Sequence, residues 1–313
     1  MFVPNRPRVP VRAAVESAPA GFRTIGDMLR TVVSLARSTH PGPAIAVTVV
    51  TVVLAIGAGL EPWRTVVLGV AMLAGQASVG LSNDWIDADR DRAVGRSDKP
   101  VALGLVSRSA ARAAAFATAG LAIVLTVPLG WVAVVVHALF IISAWLYNVG
   151  LKRTALSVLP YIVSFGLLPL LVTVSASEPR FAAAWALGAG ALLGVSAHFA
   201  NVLPDLDDDA STGVRGLPHR IGLRVSGLVV ALALVVASAL VVFGAGLDLT
   251  DAVGIVRLVG FVVTLGLAVV CAALALRGHA TRLLFQLIIA AALIDVTLLA
   301  LAGAALPLHS LVE

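Results

Sequence analysis

Apolar segments of bilayer-spanning length follow one another along almost the whole chain. A helix needs about 20 mainly apolar residues to cross a bilayer, and such runs alternate here with short stretches that contain proline, glycine or acidic residues. Of the 313 residues, 59% are hydrophobic and 12% are charged, which is typical of an integral membrane protein. We therefore predict an all-α, polytopic membrane helix bundle of nine transmembrane helices, at residues 42–60, 64–83, 109–128, 130–148, 156–175, 182–203, 225–245, 254–276 and 283–306.

The segment before the first of these runs has a different pattern. Between residues 24 and 37, apolar side chains recur at helical spacing, with Asp27, Arg30 and Arg37 between them. This pattern predicts an amphipathic helix that lies in the membrane interface. We divide the chain accordingly into an N-terminal tail with this interfacial helix, residues 1–40, and a nine-helix intramembrane domain, residues 41–313.

Basic residues are concentrated on one side of the predicted bundle. The N-terminal region and the loops after predicted helices 2, 4, 6 and 8 contain 19 of the 22 lysines and arginines, and the opposite side has Arg64, Arg180 and Arg257. Because basic loops stay in the cytoplasm, we expect a cytoplasmic N-terminus and an integral protein of the bacterial plasma membrane. Retention of basic loops in the cytoplasm explains the excess of basic over acidic residues, so we expect no nucleic-acid partner.

Carboxylates crowd at the cytoplasmic end of the second predicted helix, in 82-SNDWIDADRDRAVGRSDKP-100. On a continuing helix, one face carries Asn83, Asp84, Asp87 and Asp91. Asp89 points away from that face. Repulsion among carboxylates on neighbouring turns is costly near a bilayer unless a cation neutralises it. An all-oxygen ligand set favours Mg²⁺, Mn²⁺ or Ca²⁺ over zinc.

A second acidic stretch, 198-HFANVLPDLDDDASTGVRGLPHR-220, follows the sixth predicted helix. One helical face there carries His198, Asn201, Asp205 and Asp209. Each motif alone could be an acidic loop solvated at the surface. Two motifs of matching helical phase indicate instead two Mg²⁺ ions on either side of one diphosphate, because Mg²⁺ uses few carboxylates and bridges to phosphate oxygens.

Basic residues follow both acidic motifs, and most of them are explained as anchors on the cytoplasmic side. The exception is the pair Lys152 and Arg153, which closely follows Tyr147 and Asn148 at the end of the fourth predicted helix. Cations at that position can reach phosphate oxygens and stabilise a leaving group. We therefore predict that this pair contacts the diphosphate.

These motifs resemble those of the UbiA superfamily of intramembrane prenyltransferases. The first is similar to the family pattern N-D-x-x-D-x-x-x-D, beginning at Asn83, and the second to D-x-x-x-D, beginning at Asp205. Residues 99–104 and 147–153 are similar to two further family segments, although Lys99 stands where the family usually has arginine. The resemblance covers the chain from about residue 37 onward and includes the nine-helix count.

The resemblance implies an enzyme, a prenyltransferase, whose two Mg²⁺ ions bind a polyprenyl diphosphate. A hydrophobic or aromatic acceptor, taken from the membrane lipid phase, would attack the allylic cation after diphosphate leaves. The metal ligands would be Asp84, Asp87, Asp91, Asp205 and Asp209. The catalytic residues would be Lys152, Arg153, Asp87 and Asp205. The residues expected to bind substrate are Asn83, Asn201, Tyr147, Asn148, Lys99, Arg96 and His198.

Two other functions stay open. A terpene cyclase of the same fold would ionise a diphosphate with the same motifs, and a double bond of the substrate itself would attack the cation. A divalent-cation transporter fits less well, because it should carry acidic groups near the membrane midplane in both repeats, and Asp295 is the central acid here. For Asp295 we expect a structural hydrogen bond to Thr297 or to a neighbouring helix.

Overall fold

The computed structural model of the protein describes residues 25–203, 213–278 and 282–307. Helices account for the regular structure in these ranges, apart from one isolated β-bridge between Ala182 and Pro307. The predicted all-α fold is confirmed. The helices are α1 (Ile25–Ser38), α2 (Pro41–Gly57), α3 (Pro62–Ala93), α4 (Arg108–Thr126), α5 (Trp131–Val149), α6 (Leu159–Val174), α7 (Ala184–Val202), α8 (Leu217–Gly244), α9 (Ala252–Leu276) and α10 (Arg282–Leu301).

The number of candidate membrane spans in the described residues is seven or eight. Seven helices are long and apolar enough to cross a membrane, namely α3, α4, α5, α7, α8, α9 and α10. An eighth span would combine α1 with α2, which are bent by 62° relative to each other. With 17 residues in α2 and 16 in α6, each rises only about 24 to 26 Å at 1.5 Å per residue, against about 30 Å of hydrocarbon. The count of nine therefore stays a prediction.

Helix limits differ from the predicted limits where the chain leaves the apolar region. Helix α3 continues to Ala93, so the first acidic motif is helical throughout. Helix α8 begins at Leu217 and not near residue 225, with a break at Gly222, whose φ of 77° is left-handed. Pro218 lies in its first turn, where a missing backbone N–H breaks no helical hydrogen bond. Helix α10 ends at Leu301, before the predicted limit at residue 306.

Small residues allow the helices around the acidic motifs to approach closely. A Cβ atom on Gly194 of α7 would collide with the carbonyl oxygen of Tyr161 on α6. A Cβ atom on Gly80 of α3 would likewise collide with the backbone of Thr39. These contacts hold α7 against α6, and they hold the elbow between α1 and α2 against the motif-bearing helix.

Helix α1 has the amphipathic character predicted for this segment. It exposes an apolar face formed by Met28, Leu29, Val32 and Val33. On its other side, Leu35 packs against a small core that contains Ala88 of α3. The helix therefore presents an apolar surface outward while it is fixed to the end of α3 that carries the acidic motif.

Candidate active site

The first acidic motif lies on the part of α3 that extends beyond the apolar run. With 32 residues, α3 is about 48 Å long at 1.5 Å per residue, well above the roughly 30 Å of bilayer hydrocarbon. Asp84, Asp87 and Asp91 are each 1% exposed and share the inward face. The side chain of Asp89 is 70% exposed and pairs with Arg92 and Arg108 on the surface. The helical phase therefore separates the acids as the sequence predicts.

Asp84 is held by two basic side chains. Its Oδ1 atom accepts a hydrogen bond from Lys99 Nζ at 2.7 Å and lies 2.7 Å from His40 Nε2. Lys99 Nζ also donates to the Oδ1 atom of Asn83 at 3.0 Å and lies 2.9 Å from His40 Nε2. Lys99 and Asn83 thus lie beside Asp84 in the last third of α3 and the segment that follows it. Their contact with substrate stays a prediction.

His40 is a site residue that the sequence reasoning missed. It lies at the elbow between α1 and α2 with φ 53° and ψ 66°, a left-handed conformation that is rare for a residue other than glycine. The preceding residue packs its backbone against Gly80, which holds this conformation in place. The only sequence signal near it is the following proline, Pro41.

Asp87 lies at the centre of the basic side chains. Lys152, from the short 3₁₀ segment after α5, donates a hydrogen bond to Asp87 Oδ2. The Oδ2 atom also accepts from Arg90 at 3.3 Å and from Asn83 at 3.1 Å. Burial lowers the pKa of Lys152, and the Asp87 carboxylate acts in the opposite direction. Arg153 is half exposed and lies 3.9 Å from Asp87 Oδ1.

Arg90 also contacts the buried face of the motif. Its guanidinium donates to Asp91 Oδ1 at 3.0 Å and to Asp87 Oδ2 at 3.3 Å. The i, i+3 spacing brings it over Asp87 on the helix surface, and it is adjacent to Asp91 in sequence. Arg90 therefore balances the charge of two of the three buried carboxylates.

Asn148 and Tyr147 both contribute to this region from the end of α5. Asn148 donates to Ser82 Oγ at 2.8 Å and to the carbonyl oxygen of Val79 at 2.9 Å, and it accepts from Asn83 at 3.3 Å. It therefore fixes α5 to α3. The Tyr147 ring contacts the ring of His198 edge to face, with centroids 5.8 Å apart.

His198 of α7 is fully buried beside the start of α6. Its Nε2 atom lies 3.0 Å from Ser157 Oγ, which also accepts a hydrogen bond from the backbone N–H of Leu217 at 2.8 Å. The ring of Tyr161 lies 4.9 Å from the His198 ring, centroid to centroid. Ser157 was not predicted from the sequence, because its contacts join three segments that are distant along the chain.

Two of the predicted site residues lie outside the described residues, and two others are exposed at the surface. Asp205 and Asp209 lie outside the described residues, so their metal and catalytic roles stay predictions. Asn201 is exposed at the end of α7. Arg96 forms two 2.8 Å hydrogen bonds to the exposed Asp98 and lowers the pKa of that carboxyl group.

The buried carboxylates have the chemistry of a hard-cation site. One oxygen each of Asp84, Asp87 and Asp91 is buried and has no hydrogen-bond donor, an arrangement that is costly unless a cation binds it. Within the described ranges, no three acidic, histidine or cysteine side chains converge on a single metal position. One or two carboxylates with substrate phosphates are the usual Mg²⁺ ligands, so the residues fit an ion that is completed by a bound diphosphate.

Asp295 has a structural environment. It is fully buried in α10 and accepts a hydrogen bond from Thr264 of α9 at 3.1 Å. Thr297 donates to the carbonyl oxygen of Leu293 in its own helix. Of the two predicted partners of Asp295, the neighbouring helix is the one that forms the hydrogen bond.

The architecture and the sequence match a known family. The chain matches the UbiA prenyltransferase family over residues 44–294. The chain belongs to the UbiA prenyltransferase family. It is an integral membrane enzyme that transfers prenyl groups, and the predicted family is confirmed.

Individual proteins similar to this UbiA prenyltransferase include the digeranylgeranylglyceryl phosphate synthase of Natronomonas pharaonis. The two are 29% identical over 210 residues, which cover 66% of this chain and 74% of that protein. A solved digeranylgeranylglyceryl phosphate synthase has a TM-score of 0.65 at 14% identity, covering 88% of this chain and 99% of that one. A UbiA homologue from Archaeoglobus fulgidus, bound to GPP and Mg²⁺, has a TM-score of 0.61 at 12% identity, covering 90% and 100%. At these identities the solved structures share the fold.

Proposed function

We propose that this UbiA prenyltransferase transfers a prenyl group from a polyprenyl diphosphate to an acceptor in the lipid phase, with Mg²⁺ as cofactor. The observation that supports this most is the set of three buried carboxylates, each with an unpaired oxygen, beside the buried ammonium groups of Lys99 and Lys152. The carboxylates can bind a metal ion, and the neighbouring ammonium groups can bind phosphate oxygens. The bound GPP and Mg²⁺ of the Archaeoglobus fulgidus homologue agree with this proposal.

The side chains divide the work in the proposed reaction. Asp84, Asp87 and Asp91 would hold the ion, which supplies Lewis-acid neutralisation of the diphosphate charge. Lys152 and Arg153 would bind phosphate oxygens and stabilise the negative charge that develops as the bond between the prenyl carbon and oxygen breaks. The bonding electrons leave with diphosphate, and the acceptor's oxygen or carbon bonds to the allylic cation as the acceptor releases a proton.

The remaining predicted residues would surround this centre. Asp205 and Asp209 would hold a second Mg²⁺, with Asn201 nearby on the preceding helix. Lys99 and Asn83 would orient Asp84 and contact the diphosphate, and the other predicted contacts would come from Tyr147, Asn148, Arg96 and His198. Burial of Lys152 next to Asp87 keeps its ammonium group from extending into water, which positions it for a phosphate oxygen.

The acceptor is proposed from chemistry and from one relative. The synthase of Natronomonas pharaonis is named for a product with two geranylgeranyl groups on glyceryl phosphate. A hydroxyl group of a monoprenylated glyceryl phosphate is therefore the acceptor we propose to test first. An aromatic acceptor is the second choice. Lys99 and Lys152 contact the acidic motif, so they are not placed to bind a charged aromatic acid deep between the apolar helices.

We also propose a bacterial plasma membrane location with the site on the cytoplasmic face. The basic loops predicted to remain in the cytoplasm are the ones that adjoin the acidic motifs in sequence. The exposed apolar face of α1 suits a position in the membrane interface on the cytoplasmic side. Together these features would let a membrane-borne prenyl chain and a diphosphate reach one site from the same side.

Product analysis tests the transfer reaction against the cyclase alternative. The purified protein in lipid nanodiscs would be given geranylgeranyl diphosphate and Mg²⁺, with and without geranylgeranylglyceryl phosphate. We expect a product in which one geranylgeranyl group has replaced the hydroxyl hydrogen of the acceptor, detected by mass spectrometry. A cyclised terpene formed equally without acceptor would contradict transfer and favour the cyclase.

A further inference from the structure

The elbow between α1 and α2 contacts two successive turns of α3. The backbone of Thr39 lies against Gly80, where any Cβ atom would collide with it. The next residue, His40, contacts Asp84 through its side chain. Because Gly80 and Asp84 are four residues apart, they lie on one face of the helix. The elbow is therefore fixed to the acidic motif by its backbone and by the His40 side chain together.

The backbone of His40 has a conformation that few residue types adopt. Its φ of 53° is in the left-handed region, where histidine, asparagine and aspartate are the more frequent residues after glycine. The contact of Thr39 with Gly80 holds the chain in this turn. The side chain of His40 is 34% exposed and that of Asp84 is 1% exposed. The imidazole therefore lies at the outer edge of the site, against a buried carboxylate.

The two oxygens of Asp84 have different surroundings. Oδ1 lies 2.7 Å from His40 Nε2 and 2.7 Å from Lys99 Nζ. An ionised carboxylate has no hydrogen to donate, so its hydrogen bond with His40 requires the proton on Nε2. Oδ2 is buried and has no hydrogen-bond donor among the described residues. The protein thus occupies one oxygen of Asp84 and leaves the other for a cation.

Of the two donors to Oδ1, the imidazole is the more rigid. Lys99 has a long, flexible side chain and also donates to Asn83. The His40 ring is planar, and its backbone is held by the packing of the elbow. A group that donates a hydrogen bond to a metal-binding carboxylate orients that carboxylate, and its loss typically lowers metal affinity by about 10- to 100-fold.

We infer that His40 is a positioning residue of the Mg²⁺ site, which donates a hydrogen bond from Nε2 to Oδ1 of Asp84 and so directs Oδ2 towards the ion. The inference rests on the proposed Mg²⁺-dependent transfer. It adds that a residue outside both acidic motifs, in the elbow after the interfacial helix, determines how tightly the site binds its ion. His40 acts through Asp84 and is not assigned a contact with the prenyl diphosphate.

Three substitutions separate the side chain of His40 from its backbone. His40→Gly retains the left-handed turn and removes the donor. His40→Gln carries an amide nitrogen as many bonds from Cα as Nε2 of histidine, whereas in His40→Asn that nitrogen is closer to Cα and does not reach Asp84. Asparagine suits the left-handed backbone better than glutamine, so the requirement for a donor and the requirement of the backbone predict opposite orders for these two variants.

Manganese binding measures the site without turnover, since Mn²⁺ accepts the same oxygen ligands as Mg²⁺. Mn²⁺ is titrated into the protein in phosphatidylcholine nanodiscs with an unreactive thiolo analogue of geranylgeranyl diphosphate, and free Mn²⁺ is measured by its EPR signal. Nanodiscs without protein give the background. We expect His40→Gly and His40→Asn to raise the Kd for Mn²⁺ about 10-fold or more, and His40→Gln to remain within about threefold of the wild-type value. At saturating Mg²⁺, the variants should keep KM for geranylgeranyl diphosphate within about twofold.

Each other outcome contradicts the inference. Wild-type affinity for Mn²⁺ in His40→Gly would overturn it, and so would an equal loss in His40→Gln, because packing and not the donor would then matter. A raised KM for geranylgeranyl diphosphate at saturating Mg²⁺ would assign the imidazole to diphosphate. Melting temperatures identify a variant that does not fold, and the remaining donor-free variant is then compared with the wild type. If none of the three variants folds, His40 is a structural residue and the inference is wrong.

Failure of the proposed function has a different signature. If the wild-type protein binds Mn²⁺ with the analogue but forms no prenylated product, the proposed transfer fails, and the Mn²⁺ titration still tests His40. If the wild-type protein binds no Mn²⁺, the metal site and the role of His40 both fail. Normal transfer by the wild-type protein, with Mn²⁺ affinity unchanged in His40→Gly, contradicts the His40 assignment alone.

Discussion

At the scale of single residues, helical phase decides which acids of the first motif can act. Asp87 is buried and surrounded by Lys152, Arg90 and Asn83, whereas Asp89 is exposed and paired on the surface. The sequence alone predicts this separation, because residues three and four apart share a helix face. Each carboxylate is near enough to its neighbours in sequence that no long-range packing is needed to place it.

We predict that Asp87→Asn lowers the rate of diphosphate release at least about a hundredfold, since loss of a metal ligand or electrostatic stabiliser costs on the order of 3 kcal/mol. Asp89→Asn should cost less than about fivefold, because an exposed ion pair contributes about 1 kcal/mol or less. Initial rates with geranylgeranyl diphosphate measure both. If the two variants were equally impaired, the motif would have to be a collective charged patch.

His40 and Ser157 show where sequence reasoning ends at this scale. His40 reaches Asp84 only because a left-handed residue turns the chain between two helices, and Ser157 meets His198 and Leu217 through segments far apart in sequence. Periodicity describes one helix at a time. Contacts that depend on how separate helices pack carry no periodic signal.

At the scale of helices, hydropathy predicts the elements well and their ends poorly. Every backbone polar group in lipid needs an internal partner, so each long apolar run becomes a helix. The helix α3 continues into the polar motif, and α8 begins before its apolar run at Leu217. Hydropathy reports contact with lipid, and a helix is free to extend past that contact.

The close approach of α3 to the elbow before α2 gives a test at the same scale. Gly80→Ala would press a methyl group against the backbone of Thr39, and we expect about 1 to 3 kcal/mol of destabilisation. The melting temperature in detergent should fall by several degrees. Gly120→Ala on α4 is the matched control, because a Cβ atom there meets nothing within 4 Å. An equal fall for both variants would mean that the elbow contact contributes nothing.

At the scale of the whole molecule, the orientation of the bundle, the metal ion and the substrate depend on one another. The distribution of basic residues predicts that the acidic motif lies on the cytoplasmic side. Each of its three buried carboxylates has one buried oxygen without a hydrogen-bond donor among the described residues. An isoprenoid diphosphate has an apolar tail and a charged head, so it fits a site at the end of a membrane bundle. We propose that a divalent ion at this site, on the cytoplasmic face, is required to release diphosphate.

Sealed inside-out membrane vesicles, which expose the cytoplasmic face, test this requirement. Diphosphate release from geranylgeranyl diphosphate is measured with Mg²⁺, with a membrane-impermeant chelator in excess, and after Mg²⁺ is restored. We predict that release stops with the chelator and recovers with Mg²⁺, because the buried carboxylates cannot bind diphosphate without the ion. Right-side-out vesicles should release none. Undiminished release from inside-out vesicles in excess chelator would show that no divalent ion is required.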